Sequence, residues 1–356
     1  MIFTFSLNHI LILIILILFL STYFLIVFVI SLRLHNIYKD NKQREFLEKW
    51  EGTIFEYSTS DMKPSDVINQ IPRKKFKYLL ECLRPYLISL KGDDFKKFSA
   101  LVSKTNLLDY LFAQLNSLRK SKVISAAYYL GIAEVQGIED LLIRKIMGRD
   151  ESIFVSCSMT LARINAISSV GIIFRQAKNF KSLSLDTLIL IFSEFKPYVC
   201  KFLMEILEME KSSIYKIVIV SVFRNFKYYD GGNAVLHTLY FSTNQVLTIT
   251  CIKYLQEIEN IDALPAFKRM LNSSKPEIRA ETIKAVAKID ISSMEDKIFL
   301  KIFDTDYYVQ LNAAWAILDN CPDGEEKLTR IAEDPSKGRS AEIAQMVLSE
   351  RNLRMK

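Results

Sequence analysis

The sequence predicts an all-α chain in which a single N-terminal transmembrane helix precedes a body of stacked helical hairpins. Three observations predict it. Glycine and proline are scarce, 10 and 8 in 356 residues, and such a chain favours helix and disfavours a disordered tail. One apolar run of membrane-crossing length stands near the N-terminus. In the C-terminal half, apolar positions recur at intervals of 31 or 32 residues, as they do in repeated helical pairs. Half the residues are apolar while 24% are charged, which fits a globular body joined to one concentrated apolar segment.

Of the 21 residues 10–30, only Ser21, Thr22 and Tyr23 are not Leu, Ile, Val or Phe. As a helix they span about 31 Å, the thickness of a bilayer's hydrocarbon core. The 18 large apolar residues contribute an insertion free energy on the order of −5 to −11 kcal/mol. The Ser21 and Thr22 hydroxyls can return to the preceding helical turn. A cleaved signal peptide would need a basic start, a shorter apolar run and a small-residue cleavage site. Residues 1–9 hold no Lys or Arg and no Ala-x-Ala follows, so the run is expected to remain as an anchor. Arg33, Lys39, Lys42 and Arg44 follow it and no cation precedes it. The positive-inside rule therefore places the N-terminus outside and the rest of the chain in the cytoplasm, held at the inner membrane. His35 and Tyr38 fall at the interface.

The excess positive charge lies beside this segment. Residues 33–124 carry 18 Lys and Arg against 11 Asp and Glu, whereas residues 125–356 balance at 29 of each. The polar stretch 34–50 continues as helix, and Glu45 and Lys49 form a favourable i, i+4 pair. Trp50-Glu51-Gly52 marks a change of character, 58–61 with Pro64 reads as a loop, and Ser65-Asp66 as the cap of a short helix. After Pro72 comes the densest basic run, Arg73, Lys74, Lys75 and Lys77. It reads either as a contact for lipid or nucleic-acid phosphate, or as the solvated first turn of a helix over 74–90. No aromatic interleaving or nucleic-acid module accompanies it, so no nucleic-acid partner is expected. With Arg33, Lys39, Lys42 and Arg44, these four form the candidate membrane-surface contact.

Three segments carry the repeat: 246–255 (VLTITCIKYL), 278–287 (IRAETIKAVA) and 309–318 (VQLNAAWAIL). Offsets 0, +5, +8 and +9 give Val246, Cys251, Tyr254, Leu255, then Ile278, Ile283, Val286, Ala287, then Val309, Ala314, Ile317, Leu318. Each set draws one apolar stripe along a helix. Ile153, Ser158, Leu161 and Ala162 fit the register, as do Val123, Tyr128, Gly131 and Ile132. Second helices are predicted over 138–147, 263–271, 295–303 and 325–333. Residues 170–235 blur the period, Asp230-Gly231-Gly232-Asn233 breaks the chain, and a bundle is an alternative reading there. The organisation expected is an anchor over 1–34, a basic helical region over 35–118 and repeats over 119–356.

The segment from Leu264 to Leu271, followed by PEIRAETIKAVAKI at 276–289, resembles a HEAT repeat of the short bacterial type, in which an LxxLL helix precedes an xxVRxxAxxALxxI helix. Arg279 takes the family's arginine position, and Gln310 replaces it in the next unit. The resemblance is good over about 245–335, fair over 120–165 and weak between. It implies a right-handed, armadillo-like α-solenoid that binds protein. The layout of one span, a basic linker with a Trp-Glu pair and then repeats resembles bacterial membrane-anchored HEAT-repeat proteins. That likeness implies a scaffold or adaptor whose partner is a membrane protein, for instance a glycosyltransferase or another envelope-assembly component.

Few residues suit catalysis. Only His9, His35 and His237 are present, without ligand spacing and without the His-Glu pairs of HEAT-like di-iron hydroxylases. Phosphate-loop, dinucleotide, nucleophile-elbow and zinc-protease motifs are missing. Asp93-Asp94, Glu139-Asp140 and Glu325-Glu326 read as helix-start acids serving the dipole. Five isolated cysteines (Cys82, Cys157, Cys200, Cys251, Cys321) read as buried reduced thiols. In Tyr128-Tyr129, Tyr228-Tyr229 and Tyr307-Tyr308 one ring of each pair is expected inside and the other out. The expectation is therefore no enzyme, no cofactor and no metal. Alternative readings are a HEAT-like lyase, or binding of anionic lipid or nucleic acid through the basic run.

Overall fold

A computed structural model describes residues 7–354, leaving outside that description the side chains of residues 7–11, His35 and Lys39. About 80% of the chain is helix, and the described residues contain no strand. The chain divides into two compact units at Val135 and Gln136.

The first unit begins with α1 (Leu7–Thr59), 53 residues of unbroken helix and so about 80 Å long. Its apolar side chains from Ile12 to Leu34 are exposed, and it is long and apolar enough to cross a membrane. Ser21 Oγ and Thr22 Oγ1 donate to the Leu18 carbonyl at 2.9 and 2.8 Å, which keeps both hydroxyls satisfied inside the span. Past the apolar run the helix turns a face inward: Phe46, Ile54 and Tyr57 are buried at spacings that share one side of a helix. The expected change at Trp50-Gly52 does not interrupt it, because these buried residues pin the helix on both sides of Gly52.

The rest of the unit is α2 (Pro64–Ile68), α3 (Phe76–Ser89), α4 (Gly92–Ser103), α5 (Asn106–Leu115) and α6 (Lys120–Ile132). Pro64 starts α2 without a side-chain cap, so Ser65 and Asp66 lie in its first turn rather than before it. The end of α1 packs on α2, α3 and α4, α3 on α4 and α6, and α5 on α6. Leu79, Leu83, Leu101 and Leu130 form the core, and Tyr57 Oη donates to the Lys97 carbonyl at 2.7 Å. Helix α6, grouped with the repeats by its sequence register, belongs to this unit.

The second unit alternates α7 (Glu139–Ile146), α8 (Glu151–Arg163), α9 (Val170–Ala177), α10 (Leu185–Ser193), α11 (Val199–Met209), α12 (Ser213–Phe226) and α13 (Gly232–Phe241). It continues through α14 (Gln245–Glu257), α15 (Leu264–Met270), α16 (Pro276–Ile289), α17 (Glu295–Leu300), α18 (Tyr307–Asn320), α19 (Gly324–Ala332) and α20 (Arg339–Arg354). Helices α8, α10, α12, α14, α16, α18 and α20 pack each on the next, and α7, α9, α11 and α13 do likewise. The stripes of α16 and α18 are buried apart from the half-buried Ala287. In α14 Val246 is 57% exposed and Leu247 takes the inward position, because the Asn244 cap starts the helix at its exposed edge.

Residues 170–235, where a bundle was the alternative, keep the same alternation as α9 to α13. The glycines of that stretch are close-packed rather than a break. A Cβ on Gly231 would lie 2.8 Å from the Tyr254 hydroxyl, and one on Gly232 would lie 2.7 Å from Asn260 Nδ2. Tyr254 Oη in turn donates to the Tyr228 carbonyl at 2.5 Å.

Four helix ends share one device. Glu134, Asn165, Lys227 and Glu259 adopt positive φ of 48°, 56°, 49° and 51° just past α6, α8, α12 and α14. The next residue's N–H reaches back to Leu130, Leu161, Phe223 and Leu255, closing a Schellman cap in each case. Three of the four are neither Gly nor Asn, so the surrounding packing imposes a conformation that their own propensity opposes. Polar links run between neighbouring hairpins at similar separations: Arg163 to Glu194, Lys178 to Glu210, Lys227 to Glu257, Lys288 to Glu257, and Lys327 to Glu295.

Arg279 is the most buried of these polar joints. Its Nε and Nη2 donate to the two Asp304 carboxylate oxygens at 2.9 and 2.5 Å, and Nη1 donates to the Ser273 carbonyl at 2.8 Å. It thus ties the turn before α16 to the turn before α18. In the following unit Gln310 accepts from Arg339 Nε at 2.8 Å and donates to Ser340 Oγ at 3.1 Å. Burial alone would raise the Asp304 pKa, but the hydrogen bonds from Arg279 and the Asp306 N–H outweigh it and hold the carboxyl below its ordinary value.

Two predictions follow from this geometry. Glu259→Gly removes the cost of a Cβ at positive φ and should raise unfolding stability by about 0.5–1 kcal/mol, read as a higher urea midpoint. Arg279→Ala leaves a buried carboxylate unpaired and should cost about 3 kcal/mol. Because the Asp304 pKa is lowered on folding, its contribution is complete above about pH 4 and fades as the pH falls through the folded value. Asp304→Asn should therefore flatten the acid limb of the melting temperature against pH.

Candidate functional site

The basic run starts with a 3₁₀ turn over Arg73–Lys75 and enters α3 at Phe76, two residues later than the helix over 74–90 that the sequence suggests. Packing of α3 on α1 then brings part of the run to the anchor helix. Gln43 Nε2 donates to the Tyr78 carbonyl at 3.2 Å, and Phe46 stacks on Tyr78. Lys75 lies over the Tyr78 ring and within electrostatic reach of Glu45. Lys42 pairs with Glu45 at 3.0 Å. Hydrogen bonding to Lys42, then the charges of Lys42 and Lys75, lower the Glu45 pKa. Arg33, Arg44, Arg73, Lys74 and Lys77 are exposed and have no carboxylate partner among the described residues. The side chain of Lys39 lies outside the described residues.

Distance along α1 from the apolar run separates these cations. For a bilayer spanned by residues 10–30, three residues of helix put Arg33 about 4.5 Å beyond Ile30, inside the headgroup layer. Twelve residues put Lys42, and with it Lys75, about 18 Å beyond Ile30 for a helix along the membrane normal. The headgroup layer takes up about 5–8 Å of that distance. The remaining ~10 Å is about one Debye length at physiological ionic strength. In that setting Arg33 is within reach of lipid phosphate, whereas Lys42 and Lys75 lie beyond the headgroups.

In the second unit a cleft of about 510 Å³ opens among α11, α12 and α13 and is lined in part by Glu208, Lys216, Asp230 and His237. His237 packs against Phe241 with the two rings tilted at 48°, and neither a hydrogen bond nor an ion pair joins it to Asp230, Glu208 or Lys216 among the described residues. The side chains of His9 and His35 lie outside the described residues. Asp93-Asp94, Glu139-Asp140 and Glu325-Glu326 each occupy the first turn of a helix, where negative charge meets the helix dipole. Tyr129 is buried beside a half-buried Tyr128, and Tyr229 is exposed beside a half-buried Tyr228. Tyr307 and Tyr308 depart from expectation: both are exposed, since they form the first turn of α18, ahead of its buried face at Val309.

The turns between the two helices of some hairpins carry a set of exposed apolar side chains that sequence reasoning missed. Met209 and Ile214 flank the α11–α12 turn, Phe241 and Val246 the α13–α14 turn, and Phe303 and Tyr308 the α17–α18 turn. Met209 and Phe241 are each 75% exposed. The 32-residue spacing of Met209 to Phe241 and of Ile214 to Val246 was the available signal. Exposed apolar residues on adjacent hairpins, as at the α11–α12 and α13–α14 turns, are the kind of surface that marks an interaction site.

The chain matches no known protein-family profile and no curated protein.

All five cysteines are free and buried. Burial pushes the thiols of Cys157, Cys200 and Cys251 up to about 12, and those of Cys82 and Cys321 up to about 11. Because the thiolate is the reactive form, a disulfide reagent at pH 8 should leave Cys157, Cys200 and Cys251 untouched in the native protein. Cys82 and Cys321, which retain slight exposure, should react slowly, and all five should titrate in denaturant.

Proposed function

We propose that the protein is a membrane-tethered scaffold: an inner-membrane protein with its N-terminus outside and its helical body in the cytoplasm, presenting that body to a membrane-associated protein partner. The proposed body is a HEAT-like α-solenoid over the second unit, with α5 and α6 as a hairpin of the same type in the first. The observation that carries the reading is the ridge of exposed apolar side chains at successive hairpin turns, Met209, Ile214, Phe241 and Val246, in a chain whose α1 is of membrane-crossing length. Tethering confines that ridge near the membrane and raises its effective concentration toward a partner held there. The orientation rests on the cations that follow the span. A glycosyltransferase or other envelope-assembly component is proposed from the HEAT-type resemblance alone.

Purification of the intact protein from its native membrane in mild detergent, with mass spectrometry of what accompanies it, tests the reading. A stoichiometric membrane protein should co-purify, and the double variant Phe241→Ser, Val246→Ser should lose it while keeping the native helical content. A partnerless protein that retains a small molecule in the cleft beside His237 would replace the scaffold by an enzyme of the lyase kind.

A further inference from the structure

We propose that a cleft in the first unit is a binding site for a phosphomonoester, an activity independent of partner docking by the second unit. The cleft lies among α3, α5 and α6 and encloses about 370 Å³, within the size range of small-molecule sites. Lys77 enters from α3, Gln114 from α5, and Lys122 and Ser125 from α6, above an apolar floor that includes Leu111 and Ala126.

None of those four polar side chains has a hydrogen-bond or ion-pair partner among the described residues. Several cations of the second unit, Arg163, Lys178 and Lys288 among them, instead pair with carboxylates of neighbouring hairpins. Glu81 also lines the cleft, but Arg84 at 3.9 Å and the Tyr129 hydroxyl share its charge. Arg73 adds a further positive charge beside Tyr110 on the rim. The lining is thus net positive, with two ammonium groups, an amide and a hydroxyl converging on one space. A tetrahedral dianion with several acceptor oxygens satisfies such a set, and charge-assisted hydrogen bonds supply the affinity. The apolar floor takes the organic part of the ester.

The phosphate can belong to a soluble metabolite or to a lipid headgroup. The height of Lys75 and Lys77 above the span favours a soluble ester, because lipid phosphate reaches the cleft only if the helix leans well away from the membrane normal.

The test uses the full-length protein in nanodiscs of neutral phosphatidylcholine, titrated with glycerol 3-phosphate by calorimetry at low salt. Saturable binding that weakens at least about tenfold in Lys77→Gln, Lys122→Gln supports the proposal with a soluble ligand. Lys74→Gln, outside the cleft, should bind as the parent does, and Lys77→Arg, Lys122→Arg should retain most of the affinity. Absence of glycerol 3-phosphate binding, together with phosphatidic acid retained in native mass spectrometry and lost in the same Gln variant, supports it with a lipid ligand. Binding of neither, or binding equal in parent and Gln variant while both melt alike, overturns the proposal.

Discussion

A helical hairpin of about thirty residues has more apolar surface than its two helices can hide from water by facing each other. The second unit is built around that constraint. Helices α8 to α18 of even number carry apolar residues on more than one side; each is covered by the next helix of the same series, and α8, α12, α14, α16 and α18 also by their hairpin partners. Burial of apolar area, at roughly 25 cal/mol per Å², is the main stabilising term available to a chain with no disulfide. Spacing then propagates from packing. Once one hairpin sits on the next, ion pairs such as Arg163 with Glu194 and Lys327 with Glu295 fall about one repeat apart in sequence. The left-handed residues that end α6, α8, α12 and α14 recur on the same interval.

Polar groups drawn into these joints are satisfied rather than excluded. Arg279 is nearly buried, yet its guanidinium meets both oxygens of Asp304 and the Ser273 carbonyl. Gln310 fills the corresponding place with neutral donors and acceptors. A buried ion pair adds little net stability over an apolar substitute but is costly to break. Its effect here is to tie two turns to one mutual position, and the Gln310–Arg339–Ser340 set does the same without a buried charge pair.

The first unit obeys a different constraint, the continuity of α1. A helix without a break carries the apolar span and, further along, the buried face of Phe46, Ile54 and Tyr57. Rise per residue then converts sequence position into distance from the apolar run, which separates Arg33 from the Lys42–Lys77 patch. The eight cations that look equivalent in sequence divide accordingly. Arg33 is exposed just past the apolar run, Lys42 and Lys75 share Glu45, and Lys77 faces a cleft with Lys122. Only folding could show that division, because Lys122 and Lys77 are on helices distant in sequence.

Composition and periodicity by themselves determined the helical class, the apolar span and the bounds of α14, α16 and α18 to within about two residues, because a 3.6-residue stripe is a strong local signal. They also placed α7, α15, α17 and α19 to within about three residues. The region of α9 to α13 was not legible in the same way, since its helices bury Phe, Ile and Val on broad faces and leave no narrow stripe to align. The positive φ at Glu134, Lys227 and Glu259 was invisible for a physical reason: no local propensity favours it, and only the packing of the following turn imposes it. Nor could sequence tell that Tyr307 and Tyr308 both face out, that Val246 yields its inward place to Leu247, or that Met209 and Phe241 lie exposed one repeat apart. Tertiary structure decided these, because which side of a helix meets water is set by its neighbours, and those neighbours are about thirty residues away along the chain.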